Sequence, residues 1–215
     1  LHVSGLFVMR PPFNTGANWW IGNFADSFSR WCVPLFVMLS GALLIPKARG
    51  KEPIAFVKER LPKIILITVF WTVVYGALMF RKVTLADFAL SVLKGVPYFH
   101  LWYLYMIIGL YAFAPFLQRA VDGLDRWNFA FLLCALFGVS SLSALFRPFY
   151  AGPPLFVLMF LPYVAYFCLG HYLVQYHVKV RPVALVAGAV ISGVMIAGAV
   201  GALYPVIGED DEGTP

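Results

Sequence analysis

The sequence predicts an all-α fold, a polytopic bundle of transmembrane helices, and three observations predict it. Of the 215 residues 61% are hydrophobic and only 12% charged, where a soluble domain usually has about a quarter of its residues charged. Several apolar segments approach the ~20 residues that a hydrocarbon core of about 30 Å requires. Those segments do not alternate apolar with polar residues, as outer-membrane strands would, and lipid offers the backbone no hydrogen-bond partners, so helices are the expected solution.

The elements follow in order. Residues 1–9, "LHVSGLFVM", read as the back half of a first span ended by Arg10, Pro11 and Pro12. The front half is expected to precede residue 1, and further spans to follow the last residue, so residues 1–215 are taken as part of one membrane domain. A second span is predicted over 18–45, polar in its first half and apolar in its second, with Pro46 as the stop. A polar half-helix at membrane depth must face protein or water. The most basic stretch, "PKARGKEPIAFVKERLPK", leads to a third span over 64–80. Residues 81–99 read as an amphipathic segment lying in the interface.

A fourth span is expected over 100–117 and a fifth over 128–145, followed by the turn-rich "FRPFYAGPP". The sixth covers 155–174, with Pro162 expected to kink it. The seventh covers 183–207, where Gly188, Ser192 or Gly193, and Ala197 recur at close-packing intervals and predict tight packing on a neighbour. The acidic tail "GEDDEGTP" is assigned no structure.

Charge orients these spans. If the basic stretch after the second span is cytoplasmic, alternation places ten Lys and Arg inside and six outside, which follows the positive-inside bias. The net charge of +6 is then topology plus attraction to anionic headgroups, and nucleic acid is not an expected partner. Cys32, Cys134 and Cys168 lie in or beside apolar runs, where a thiol behaves as a small hydrophobe. No metal-ligand spacing, phosphate-cradling glycine loop or paired carboxylates for hydrolysis is found. Ser40 shows neither the base partner nor the orienting third group of a nucleophile.

Fold class alone leaves transporter, channel, receptor and enzyme open. Four motifs in order narrow the choice: "RWCVPLFVMLSGALL", "FVKERLPKIILITVFW", "FHLWYLYMIIGLYAFAPFL" and "YFCLGHYL". Together they resemble the membrane acyltransferase 3 family, most closely its bacterial O-acetyltransferase branch. The resemblance implies a multi-pass enzyme of the bacterial plasma (inner) membrane with no bound cofactor or metal. As co-substrate it would take acyl-CoA, with acetyl-CoA the expected form, and it would acylate a hydroxyl of a cell-envelope glycan or glycolipid. The alternative reading is a transporter or flippase-like carrier, in which the same intramembrane polar groups line a permeation path.

The resemblance also assigns roles. His2 stands where the family has a histidine in its first span. Lying seven positions before the outer end at Met9, it sits on the order of 10 Å deep at about 1.5 Å per residue. A neutral imidazole can accept a proton from a hydroxyl attacking a thioester; the competing role is a hydrogen bond to a neighbouring helix. Arg60 and Lys63 match two family arginines at the entrance of the third span and are the expected donor-binding pair. Lys63 departs from the pattern, because Arg grips a phosphate bidentately and Lys does not. Trp102, Tyr105 and Arg30 are the expected acceptor-binding residues, since aromatic faces suit sugar rings. Arg30 and Asp26, four apart on one helix, are also spaced to pair with each other.

Overall fold

A computed structural model describes residues 16–79, 84, 101–146, 160–179 and 181–208. Among these the regular structure is helical: α1 Gly16–Ser29, α2 Cys32–Ala48, α3 Pro53–Met79, α4 Trp102–Val121, α5 Arg126–Phe146, α6 Leu161–Gln175 and α7 Pro182–Gly208. Five stretches are long and apolar enough to cross a membrane: Ala17–Ala48, Pro53–Leu78, Trp102–Val121, Arg126–Ser143 and Pro182–Ala202. The expected partial span over 1–9 and the interfacial segment over 81–99 fall outside the described residues, Thr84 apart. The protein is thus an all-α, multi-pass membrane protein.

Local chemistry explains where helices start and stop. The expected second span is two helices, because Pro34 has no N–H to give to the Arg30 carbonyl and its ring crowds that oxygen; the chain turns at Arg30 and Trp31. Pro46 does not stop α2, which continues to Ala48 before Gly50, at φ +72, turns the chain. The helix carrying the third span begins at Pro53, eleven residues before Ile64. Proline suits the first helical position, where its missing N–H has no intrahelical partner anyway. Asp125 caps α5, its carboxylate accepting from the Trp127 backbone N–H at 3.3 Å. Pro162 lies in the first turn of α6, a tolerated position, so it opens the described helix rather than bending its interior.

The chain divides into two compact units, residues 1–34 with 178–215, and residues 35–177. In the first, α1 packs on α7. Trp19, Asn23 and Ser27 recur every fourth residue of α1 and are buried, which answers the requirement that the polar half-helix face protein. Asn23 Nδ2 donates to the Ala197 carbonyl at 2.9 Å. Opposite them lie Gly193, Ala197 and Gly201, also every fourth residue. Phe28 packs over Gly193 and Trp20 over Gly201, where an added Cβ would come within 2.7 Å of either ring. Small residues allow this approach, which matters where lipid supplies no hydrophobic drive between helices. Gly188 meets nothing within 4 Å and takes no part.

In the second unit, α2 buries Val37, Gly41, Leu44, Ile45 and Ala48, a stripe at helical spacing. Its crossing with α6 is backbone on backbone: a Cβ at Gly41 would collide with the Phe167 carbonyl, and one at Gly170 with the Met38 carbonyl. Helix α4 buries Met106, Leu110, Ala114, Gln118 and Val121 on one face. Tyr105 Oη lies 3.1 Å from Thr72 Oγ1, linking α4 to α3. Phe129 of α5 stands edge-on to Tyr172 of α6 at 5.3 Å between centroids. The large exposed side chains of this unit, such as Leu66 and Phe131, suit a lipid-facing surface.

Candidate functional site

Helices α2, α4 and α6 finish at the same end of the second unit, and polar contacts tie that end together. Arg49, just past α2, pairs with Asp122, just past α4, at 2.6 Å. Tyr176 Oη, just past α6, donates to the Leu124 carbonyl at 2.7 Å. Between these three ends lies a cavity of about 250 Å³, with Pro46, Val121 and Val174 as its apolar wall. Gln118, Gln175, His171 and the Arg49–Asp122 pair supply its polar lining.

Two of these groups are set up to receive a ligand. Gln118 is only 7% exposed, and among the described residues no group bonds its side-chain amide. His171 has a buried Nδ1 with no hydrogen-bond partner, while its ring packs on Phe129 at 6.1 Å. A buried polar atom left without a partner costs about 1–3 kcal/mol, so a ligand that bonds His171 Nδ1 recovers that cost. Sequence reasoning missed Gln118. The signal available was a polar residue in register with the apolar stripe Leu110, Ala114, Val121.

The expected donor pair lies on α3. Arg60 Nη2 contacts Glu59 Oε1 at 2.9 Å, and Glu59 Oε2 accepts from Lys51 Nζ at 2.5 Å. The Arg60 side chain is 33% exposed and its Nε is buried without a partner among the described residues. Lys63 is exposed. The structure therefore makes the two unequal: Arg60 is a half-buried cation, and Lys63 is a surface cation one turn on.

The expected acceptor residues are divided. Trp102 packs against Tyr163 of α6 at 5.9 Å, and Tyr105 meets Thr72 as described above, so both join helices of the second unit. Arg30 belongs to the first unit. It pairs with Asp26, Nη2 to Oδ2 at 2.7 Å, as the i, i+4 spacing predicted. His2 lies outside the described residues. Among the described residues no group of three His, Cys, Asp or Glu could hold a metal ion.

Apolar helices long enough to span a bilayer, with a polar-lined cavity and a half-buried arginine in the second unit, define a multi-pass membrane protein. A family model described as an acyltransferase domain matches residues 1–213, and the chain belongs to that family, acyltransferase 3. No curated protein and no solved structure matches the chain.

Proposed function

We propose that this protein is an O-acyltransferase of the bacterial plasma membrane, moving an acyl group, acetyl in the simplest case, from acyl-CoA to a hydroxyl of a cell-envelope glycan or glycolipid. Family membership supports the reaction class. The observation that carries the donor assignment is Arg60, a half-buried guanidinium whose Nε has no protein partner at the basic end of the second unit. A diphosphate fits such a group, because charge-assisted bonds to phosphate are among the strongest available to a side chain. Lys63 adds a point charge one turn along the same helix.

In the proposed reaction the acceptor hydroxyl attacks the thioester carbonyl while His2 takes its proton. The new C–O bond forms, the C–S bond breaks, and the proton passes from imidazolium to the leaving thiolate, giving free coenzyme A. Trp102, Tyr105 and Arg30 are proposed as acceptor-binding residues, the two aromatics through their ring faces. The test is label transfer from radioactive acetyl-CoA to membrane glycan by the full-length enzyme at matched protein levels. His2→Gln keeps polarity but cannot act as a base, so transfer should fall at least about a hundredfold, as loss of general-base catalysis typically costs. Near-normal transfer by this variant returns His2 to a helix-tying role.

A further inference from the structure

We infer that the cavity at the ends of α2, α4 and α6 receives the adenine of the acyl donor; this rests on acyl-CoA being that donor. The lining carries no net charge. Arg49 and Asp122, both in it, neutralise each other at 2.6 Å, and Gln118, Gln175 and His171 in its neutral form add no charge. A phosphate placed inside would meet a balanced lining, whereas an uncharged heterocycle meets one that suits it.

Hydrogen bonding points the same way. Gln118 is 7% exposed, its side-chain amide is unbonded among the described residues, and that amide presents a donor and an acceptor side by side. That is the pattern complementary to an adenine edge, where an amide side chain can bond the exocyclic amine and the adjacent ring nitrogen together. His171 Nδ1, also buried and unbonded, offers a further contact. The apolar wall of Pro46, Val121 and Val174 suits the faces of a flat ring.

Position agrees as well. About 250 Å³ accommodates a purine nucleoside and not a whole coenzyme, so the remainder of the donor must leave the cavity. Arg60 lies seven residues into α3, about 10 Å of helix from the end that adjoins the Arg49 turn. A donor with its base in the cavity can therefore extend its diphosphate toward Arg60 and its thioester farther along the bundle.

Binding to the full-length protein in lipid nanodiscs tests the inference with three probes: acetyl-CoA, 3′,5′-ADP, which carries the base without the arm, and S-acetyl-4′-phosphopantetheine, which carries the arm without the base. Gln118→Leu should raise the Kd of acetyl-CoA and of 3′,5′-ADP by about tenfold or more, the worth of a bidentate base contact, and leave that of S-acetyl-4′-phosphopantetheine unchanged. His171→Phe, which keeps the ring packed on Phe129, should weaken the same two probes by a smaller factor. Wild-type affinity of both variants for all three probes overturns the site, as does an equal loss across all three. Failure of the unaltered protein to bind acetyl-CoA refutes the donor assignment itself, a result distinguishable from either.

Discussion

The Arg60 guanidinium is held by one carboxylate and left open at Nε. Glu59 is shared with Lys51, so neither cation has it alone, and exposed pairs of this kind are worth only about 0–1 kcal/mol. Arg60 can thus be redirected to a stronger anion at little cost. Lys58 differs: it lies exposed on the same helix and outside the cavity lining. Arg60→Gln should therefore raise the Kd for acetyl-CoA about tenfold or more, in line with loss of a charged hydrogen bond, while Lys58→Gln should change it by a few-fold at most. Equilibrium binding in nanodiscs checks this; equal losses would make Arg60 an ordinary membrane anchor. The Arg30–Asp26 pair was legible from its spacing alone. Gln118 was legible only as a polar residue in register with an apolar stripe, and nothing in "FAPFLQRAV" marks the cavity beside it.

At the scale of elements, the five long apolar stretches among the described residues were legible, because length and apolarity suffice to define them. Their interruptions were less so. Pro34 acts four residues upstream, on the Arg30 carbonyl, so the break lies inside what reads as one continuous span. The start of α3 was hidden for the opposite reason: "KERLPK" has the composition of a loop, yet Pro53 at the first helical position begins a helix that carries it. Small residues were legible as a class but not by partner. Gly193, Ala197 and Gly201 meet α1, Gly41 and Gly170 pair α2 with α6, and Gly188 meets nothing. Gly41→Ala and Gly170→Ala should each destabilise the protein by about 1–3 kcal/mol, the usual cost of overpacking, because the obstacle in each case is backbone and cannot rotate away. Gly188→Ala should be neutral or slightly stabilising, as alanine is the better helix former. Thermal unfolding in detergent measures all three; a loss at Gly188 matching that at Gly41 contradicts the assigned packing.

For the whole molecule, charge and contact agree within the second unit. The turn after α2, the turn after α4 and the end of α6 share one face, joined by Arg49–Asp122 and Tyr176–Leu124, and the positive-inside bias assigns that face to the cytoplasm. Single cysteines at Glu52 and Arg126, in a background lacking Cys32, Cys134 and Cys168, should be labelled by impermeant thiol reagents only from the cytoplasmic side. A cysteine at Thr84 should be labelled only from the other. Labelling of all three from one side overturns the span count. The central claim is chemical: the acyl group crosses to the acceptor and the rest of the donor does not. The most direct measurement uses inside-out membrane vesicles containing the full-length protein, supplied with acetyl-CoA labelled separately in its acetyl group and its adenine. The account predicts acetyl label bound covalently to the vesicle glycan or glycolipid, while the adenine label stays in the outer medium as free coenzyme A. Both labels inside the vesicles in a one-to-one ratio, with none on the acceptor, would contradict it and mark a transporter.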